Sequence, residues 1–338
     1  VYMGFFNECS YVLRKHNKDM IFINTNNNLY FNYMENSDHL LASKKITSTT
    51  DFSKYYFDID ALDTVYGIFI DKNINIVQFD KDLNEFSTIH KINYDYKNFN
   101  INFPYIKYID NQIHILYYLS NNQHPTTILF HHYNNGEKWF ENKIDFINLP
   151  LIDNYIISID NLVPSVFYFK EDEDFPQVYT STFNLSQLTW SKPVKITNSY
   201  SNKIYLSVLK DKLNFYHLSF CESFQNKYKI SYINGYLNTN NFNTIINNSM
   251  TGPSLFLYPS LVKSDSKLYL SYVEQNRLYT KTSYDLGNTW SNCIEDPYSI
   301  NEKFIRCYLK SNYRDDLDYN CSSLFATKNP FSILGYFE

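Results

Sequence analysis

Glycine is scarce in this chain, with seven in 338 residues. So few cannot build the glycine-rich loops that cradle phosphates or dinucleotides, and no GxSxG nucleophile elbow occurs. Alanine occurs three times. No segment keeps the 3.6-residue apolar period of an amphipathic helix, which argues against a helical protein. Arginine is limited to Arg14, Arg277, Arg306 and Arg314, so residues 15–276 contain none. Five cysteines (Cys9, Cys221, Cys293, Cys307 and Cys321) form no CxxC and no metal-like spacing. An odd, scattered set reads as buried or incidental thiols rather than a disulfide framework or zinc site. No run approaches the roughly 18 apolar residues of a membrane span. The opening VYMGFFNECS lacks the charged and apolar regions of a signal peptide. It also lacks an initiator Met, so export from a trimmed precursor stays open, and the compartment is not specified. The eight histidines form no HxxxH or HExxH, and the adjacent His131 and His132, on a strand, point to opposite faces. The 30 basic and 35 acidic residues are interspersed, for a net charge of −5, unlike the basic footprint of a nucleic-acid binder.

What is abundant is aromatic and β-branched. Tyr (33) and Phe (27) supply a large core; the 43 Asn are consistent with codon bias. Short runs such as QIHILYYLS (112–120), PSVFYFKE (164–171), KLNFYHLSF (212–220) and KLYLSYVE (267–274) start 45–55 residues apart, bounded by Asn, Asp, Ser and Lys. Such runs, with turn signals between them, predict an all-β chain, and a period near 50 predicts a repeat architecture. The aromatics carry the same period. Trp139, Trp190 and Trp290 are 51 and then 100 residues apart, with Phe242 and Phe86 filling two of the remaining slots.

The residues before these aromatics also repeat. The stretch SYDLGNTW (283–290) has the pattern S-x-D-x-G-x-T-W. HYNNGEKW (132–139) keeps its spacing with Asn134 and Gly136, and TFNLSQLTW (182–190) is a third copy with one residue inserted, Asn184 standing for the Asp. This pattern resembles the Asp box of sialidase-type, BNR-repeat β-propellers. The resemblance implies a hairpin between the third and fourth strands of a blade, with the Asp or Asn accepting turn N–H groups and Gly supplying a positive φ. It implies that the Trp wedges between sheets. Ser283, Asp285, Gly287, Trp290, Asn134, Gly136, Trp139 and Trp190 are therefore expected to be structural. The expected fold is a single all-β domain over 1–338, a β-propeller of seven four-stranded blades at about 9–46, 47–92, 93–148, 149–197, 198–249, 250–297 and 298–338. Six blades is the alternative. The last blade is one strand short, and the N-terminal segment 1–6 is the expected closing strand, which would remove exposed sheet edges.

The resemblance implies sialidase chemistry only if its residues are present. That family grips a carboxylate with three arginines from separate blades, a planar fork that lysine cannot replace. The arginine-free stretch and the absence of Arg-Ile-Pro near the start argue against a sialidase. The acidic loop Glu171, Asp172, Glu173 and Asp174 lies between the second and third strands of blade 4. It is expected on the face of the inter-blade connections, where it could hold Ca²⁺ or supply an acid or base, although the DxDxDG calcium loop is absent. No other cofactor is implied. Loops on the same face bring His124, Asp172, Asp174, Phe175 and Phe224 forward as ligand contacts. The expected role is a non-catalytic recognition module for a glycan or a protein partner. The alternative is a glycan-processing enzyme, a glycoside hydrolase or lyase, diverged from the sialidase pattern.

Overall fold

A computed structural model of the chain describes residues 4–124, 126–148, 154–238, 240–264, 266–316, 319–328 and 330–336. The chain is a β-propeller. Blades 1 to 3 have four antiparallel strands each: Gly4–Arg14, Met20–Thr25, Leu29–Glu35 and His39–Thr47; then Tyr55–Ile59, Val65–Ile70, Asn73–Asp80 and Glu85–Asn93; then Phe99–Ile109, Gln112–Asn121, Thr127–Asn134 and Trp139–Ile147. Blade 4 runs through Ile156–Asp160, Val163–Asp172 and Phe175–Asn184, and its outer strand is broken into Thr189–Trp190 and Val194–Lys195. Blade 5 comprises Lys203–Lys210, Tyr216–Phe224, Lys227–Leu237 and Phe242–Ser249, and blade 6 Phe256–Ser264, Lys267–Glu274, Arg277–Ser283 and Ile294–Glu295. Blade 7 contributes Lys303–Ser311, Leu324–Lys328 and Phe331–Leu334.

Burial falls from the axis outward. Val65–Ile70 is buried along its whole length, whereas Glu85–Asn93 at the rim of the same blade is mostly exposed. Strands covered on both faces can be apolar throughout, and rim strands cannot. The core lies between sheets, as in the ring-on-ring packing of Phe31, Phe79 and Phe86 from blades 1 and 2. Scarce glycine is compensated at the hairpins. Glu173–Asp174, Gln225–Asn226 and Gln275–Asn276 take positive φ at both central residues, the backbone of a two-residue turn that matches strand twist. Asn and Asp tolerate it best.

The chain ends meet in one seven-stranded sheet, but not as an added outer strand. Gly4 and Phe5 open the innermost strand of blade 1, which runs parallel to Lys303–Ser311 from Gly4↔Lys303 to Arg14↔Ser311. Blade 7 therefore keeps three strands, and the edge of its first strand is covered by blade 1 itself. Residues 1–3 of the expected closing segment lie outside the described residues. The described part of the connection after Lys303–Ser311 lies at the far end of the ring, where Asn320–Cys321 pairs with the first strand of blade 6. It is anchored by Asp316, which accepts two bonds from Arg14 Nη1 (2.9 and 2.8 Å) and one from Ser311 Oγ (2.7 Å), all part-buried. Asp316→Ala leaves the Arg14 cation buried without its partner and is expected to cost about 3 kcal/mol in urea unfolding. A loss near zero would show that the anchor contributes nothing.

Candidate ligand-binding mouth

The first strands line the axis, and their N-terminal ends emerge on the face of the inter-blade connections. Three carry the same irregularity. In blade 3 the ladder jumps from Asn102↔Tyr118 to Tyr105↔Leu116; in blade 5 from Ile204↔Cys221 to Ser207↔Ser219; in blade 6 from Leu257↔Val273 to Ser260↔Ser271. Each jump is a bulge with an aromatic residue at positive φ: Phe103 (52°), Tyr205 (61°) and Tyr258 (50°). That conformation costs a bulky L-residue on the order of 1–2 kcal/mol, and bulges re-aim side chains next to sites. The strain is repeated at equivalent positions, so it belongs to the architecture of the mouth.

Two of these bulges, at Tyr205 and Tyr258, assemble an aromatic shelf around one guanidinium. Tyr205 and Tyr258 meet with ring centroids 4.3 Å apart. Arg306, half-buried on the first strand of blade 7, lies 3.9 Å over the Tyr258 ring and 5.9 Å from that of Phe52. Phe52 stacks on Tyr308 at 5.8 Å. The Tyr258 hydroxyl donates to Asn7 Oδ1 (3.0 Å). Beside the mouth, Lys54 donates to Asn100, Asn102 and the Ile101 carbonyl, at 2.6–2.7 Å, and burial lowers its pKa. Glu8 is held by Lys328 and, at 3.3 Å, by Ser10. The mouth thus offers ring faces, amides and a stacked cation, a set suited to a hydroxylated ligand that carries an anion.

The loop residues expected at the site lie further out. Asp172 accepts from Tyr179 (2.8 Å) and pairs with Lys195 (2.7 Å); these bonds lower its pKa. Glu173 and Asp174 form an exposed turn, and Phe175 meets the exposed Tyr200 edge-on at 6.1 Å. Of the carboxylates considered for Ca²⁺, Asp172 is therefore already engaged by a lysine. Among the described residues no group of three or more His, Cys, Asp or Glu is arranged around a metal-sized site. His124 is in an exposed turn, and Phe224 ends a strand under Lys229, 5.6 Å from its ring. Among the described residues, no bond or ring contact joins His124 or Phe224 to the Asp172–Phe175 hairpin. The mouth residues Arg306, Tyr258 and Tyr205 were not anticipated from sequence. The available signal was an aromatic followed by proline at Phe103-Pro104 and again at Tyr258-Pro259, since proline inside a strand marks a bulge or an edge.

The turns singled out by sequence sit on the opposite face. Asp285 Oδ1 accepts from Thr289 N and from Ser283 Oγ (both 2.8 Å), and its Oδ2 accepts from Thr289 Oγ1 (2.7 Å). Ser283 Oγ accepts from Gly287 N (2.8 Å), and these bonds lower the Asp285 pKa. Asn134 accepts from Gly136 N (2.7 Å). Trp290 packs edge-on against Tyr232 of blade 5, and Trp190 against His131 of blade 3. Trp139 differs, being 47% exposed. The residue inserted in 182–190 sets Trp190 opposite Phe183, in the packed layer, whereas Trp139 lies opposite Asn134 at the hairpin end. Trp290 keeps the spacing of Trp139 yet packs against Tyr232, so contacts with the neighbouring blade as well as register decide which ring is a wedge.

The sequence matches no established protein-family profile and no curated protein. In fold the chain is similar to solved structures. One is a polysaccharide lyase of family PL25, an ulvan lyase bound to a GlcA(1-4)Rha3S fragment (TM-score 0.61, 10% identity, covering 98% of this chain and 94% of that one). Another is a protein from Lactobacillus plantarum (0.53, 10%, 84% and 83%), and a third the polysaccharide lyase Uly1 (0.52, 9%, 82% and 79%). At these identities the likeness establishes the fold: a propeller shared with proteins that include polysaccharide lyases.

Proposed function

We propose that this chain engages an acidic polysaccharide at the axial mouth, with Arg306 pairing the sugar's anion and Tyr258 and Tyr205 packing on its rings. The observation that carries this reading is Arg306 stacked 3.9 Å over Tyr258, on a shelf raised by strained bulges. A guanidinium lying over an aromatic ring can pair with a carboxylate or sulfate through two parallel N–H bonds. Phe175 with Tyr200 would extend the path outward along the same face, and His124, Asp172, Asp174 and Phe224 remain candidate outer contacts. The resemblance to BNR-repeat propellers then concerns the turns, and sialidase chemistry does not follow from it.

A catalytic form of the same reading is favoured over passive binding by the similarity in fold to two polysaccharide lyases. Elimination from a uronate needs a cation on its carboxylate and a group to take the neighbouring proton. Arg306 supplies the first. The Tyr258 oxygen would serve as the second in its phenolate form, and the phenol so formed would return the proton to the departing glycosidic oxygen as the C–O bond breaks and the C=C bond forms. The test is affinity electrophoresis on polyuronate, sulfated and neutral polysaccharides, followed by the ultraviolet absorbance of unsaturated product and a reducing-end assay. The wild type is expected to be retarded by the acidic polymers, and Arg306→Gln to weaken binding by about 10- to 100-fold. Equal retardation by neutral polymers, or an unaffected Arg306→Gln, would overturn the reading. Absorbance that disappears in Tyr258→Phe assigns elimination; binding without either product assigns recognition alone.

A further inference from the structure

On the face opposite the mouth the axis holds a cavity of about 590 Å³. Its open end is lined by the C-terminal ends of the first strands. Asp160 comes from blade 4, Lys210 with Asp211 and Lys212 from blade 5, Lys263 from blade 6 and Lys310 from blade 7. Deeper walls are the rings of Tyr56, Tyr105 and Tyr308, and Tyr308, stacked on Phe52, stands between this cavity and the mouth. Among the described residues four lysines face two carboxylates, and both carboxylates are committed. Asp160 pairs with Lys210. Asp211 is buried, bonded to His217 Nε2 (3.1 Å) and to the N–H groups of Leu213 (2.8 Å) and Phe215 (3.0 Å). Lys310 is half-buried in the wall, and neither its ammonium group nor that of Lys212 makes a hydrogen bond or ion pair with any described residue.

We propose that this cavity is a second binding site, for a small sugar bearing an oxyanion, with Lys310 as its principal charge contact. A cation in a walled recess attracts an anion more strongly than one on an open surface, because field lines are focused by the low-dielectric walls. The volume lies within the range of small-molecule sites. The tyrosine rings offer faces to a pyranose, and Asn214, Asn320 and Ser322 at the rim offer hydrogen bonds to its hydroxyls. The proposal does not depend on what the mouth binds.

Titration calorimetry of the full chain with D-glucuronate, inorganic sulfate and glucose tests it. Glucuronate is expected to bind best, sulfate more weakly and glucose not measurably. Lys310→Gln is expected to lose about tenfold or more in glucuronate affinity and Lys310→Arg to retain most of it, both measured in an Arg306→Gln background in which the mouth lacks its cation. Thermal melts of each variant confirm folding. The proposal is overturned if the wild type binds no glucuronate, if glucose binds as well, if Lys310→Gln is unaffected while folded, or if Arg306→Gln abolishes the signal, which would place the sugar at the mouth.

Discussion

Gly287→Ala is expected to destabilise the fold by about 3 kcal/mol or more, measured as a shift of the urea midpoint at constant slope. Two costs combine. Gly287 has a φ of +90°, which an L-residue rarely adopts, and an added Cβ would lie 1.9 Å from the Tyr232 hydroxyl and 2.6 Å from its Cζ. Tyr232 cannot yield easily. It is fully buried, its hydroxyl is bonded to His217 Nδ1 (2.7 Å), and Trp290 packs edge-on against its ring. Gly136→Ala is the internal control. It has a comparable φ of +96°, but its Cβ would approach nothing nearer than the Asn111 carbonyl at 3.3 Å. It should cost about 1 kcal/mol, chiefly backbone strain. Similar losses for the two variants would mean that the contact with Tyr232 is easily relieved and that the turn does not lock blade 6 onto blade 5.

Acidification between pH 6.5 and 5 is expected to weaken the fold through a histidine pair sealed between blades 3 and 4. His114 and His131 are fully buried, with Nδ1 of the first 3.0 Å from Nε2 of the second, and Trp190 Nε1 donates to His131 Nδ1 at 2.9 Å. Indole N–H can only donate, so His131 Nδ1 accepts. Its Nε2 then carries the proton and donates to His114 Nδ1, leaving the His114 proton on Nε2, which has no partner among the described residues. Neither ring can take a second proton without breaking this relay in a dry layer. Burial lowers the His114 pKa to about 4 and holds that of His131 well below its usual value; His132 is shifted the same way. The sign follows from linkage. The folded pKa lies below the unfolded one, so the unfolded chain binds more protons below pH 6.5. Stability is complete above 6.5 and falls with acid by about 1.4 kcal/mol per pH unit for each such histidine. Carboxylates with lowered pKa, such as Asp172 and Asp285, lose their contribution only nearer their own unfolded values, so the upper part of the window belongs to histidine. Urea midpoints measured from pH 7 to 5 check this. His114→Gln should flatten the slope, and a wild-type midpoint constant across that range would show that the pair protonates without cost.

Much of the fold was legible because its determinants are local and repeated. The β-rich runs such as KLYLSYVE and the Asx-type turns at Asn134, Asn184 and Asp285 each depend on residues a few positions apart, and their recurrence about every 50 residues marked blade limits that the structure follows. That the N-terminal segment joins the last blade was legible from that blade's missing strand; the parallel register by which it does so was not. A parallel pair between Gly4–Arg14 and Lys303–Ser311 joins segments some 300 residues apart, and nothing in either one sets that register. Trp139 and Trp190 look alike in sequence, and only the tertiary packing separates the exposed ring from the wedge.

The candidate site was less legible for the same reason. The loop residues stood out as acidic or aromatic and were read by type, while Arg306, Tyr258 and Tyr205 are ordinary strand residues whose importance lies in convergence. The lysine-lined cavity likewise draws its charges from four blades. By itself the sequence determined a repeated, all-β chain of blade-sized units with scaffold turns and no sialidase arginine set, since propensity, spacing and composition act within a repeat. Tertiary structure alone decided which aromatics face the axis, which cations gather there and how the ends join, because a closed ring brings together the first strands of blades far apart in the chain.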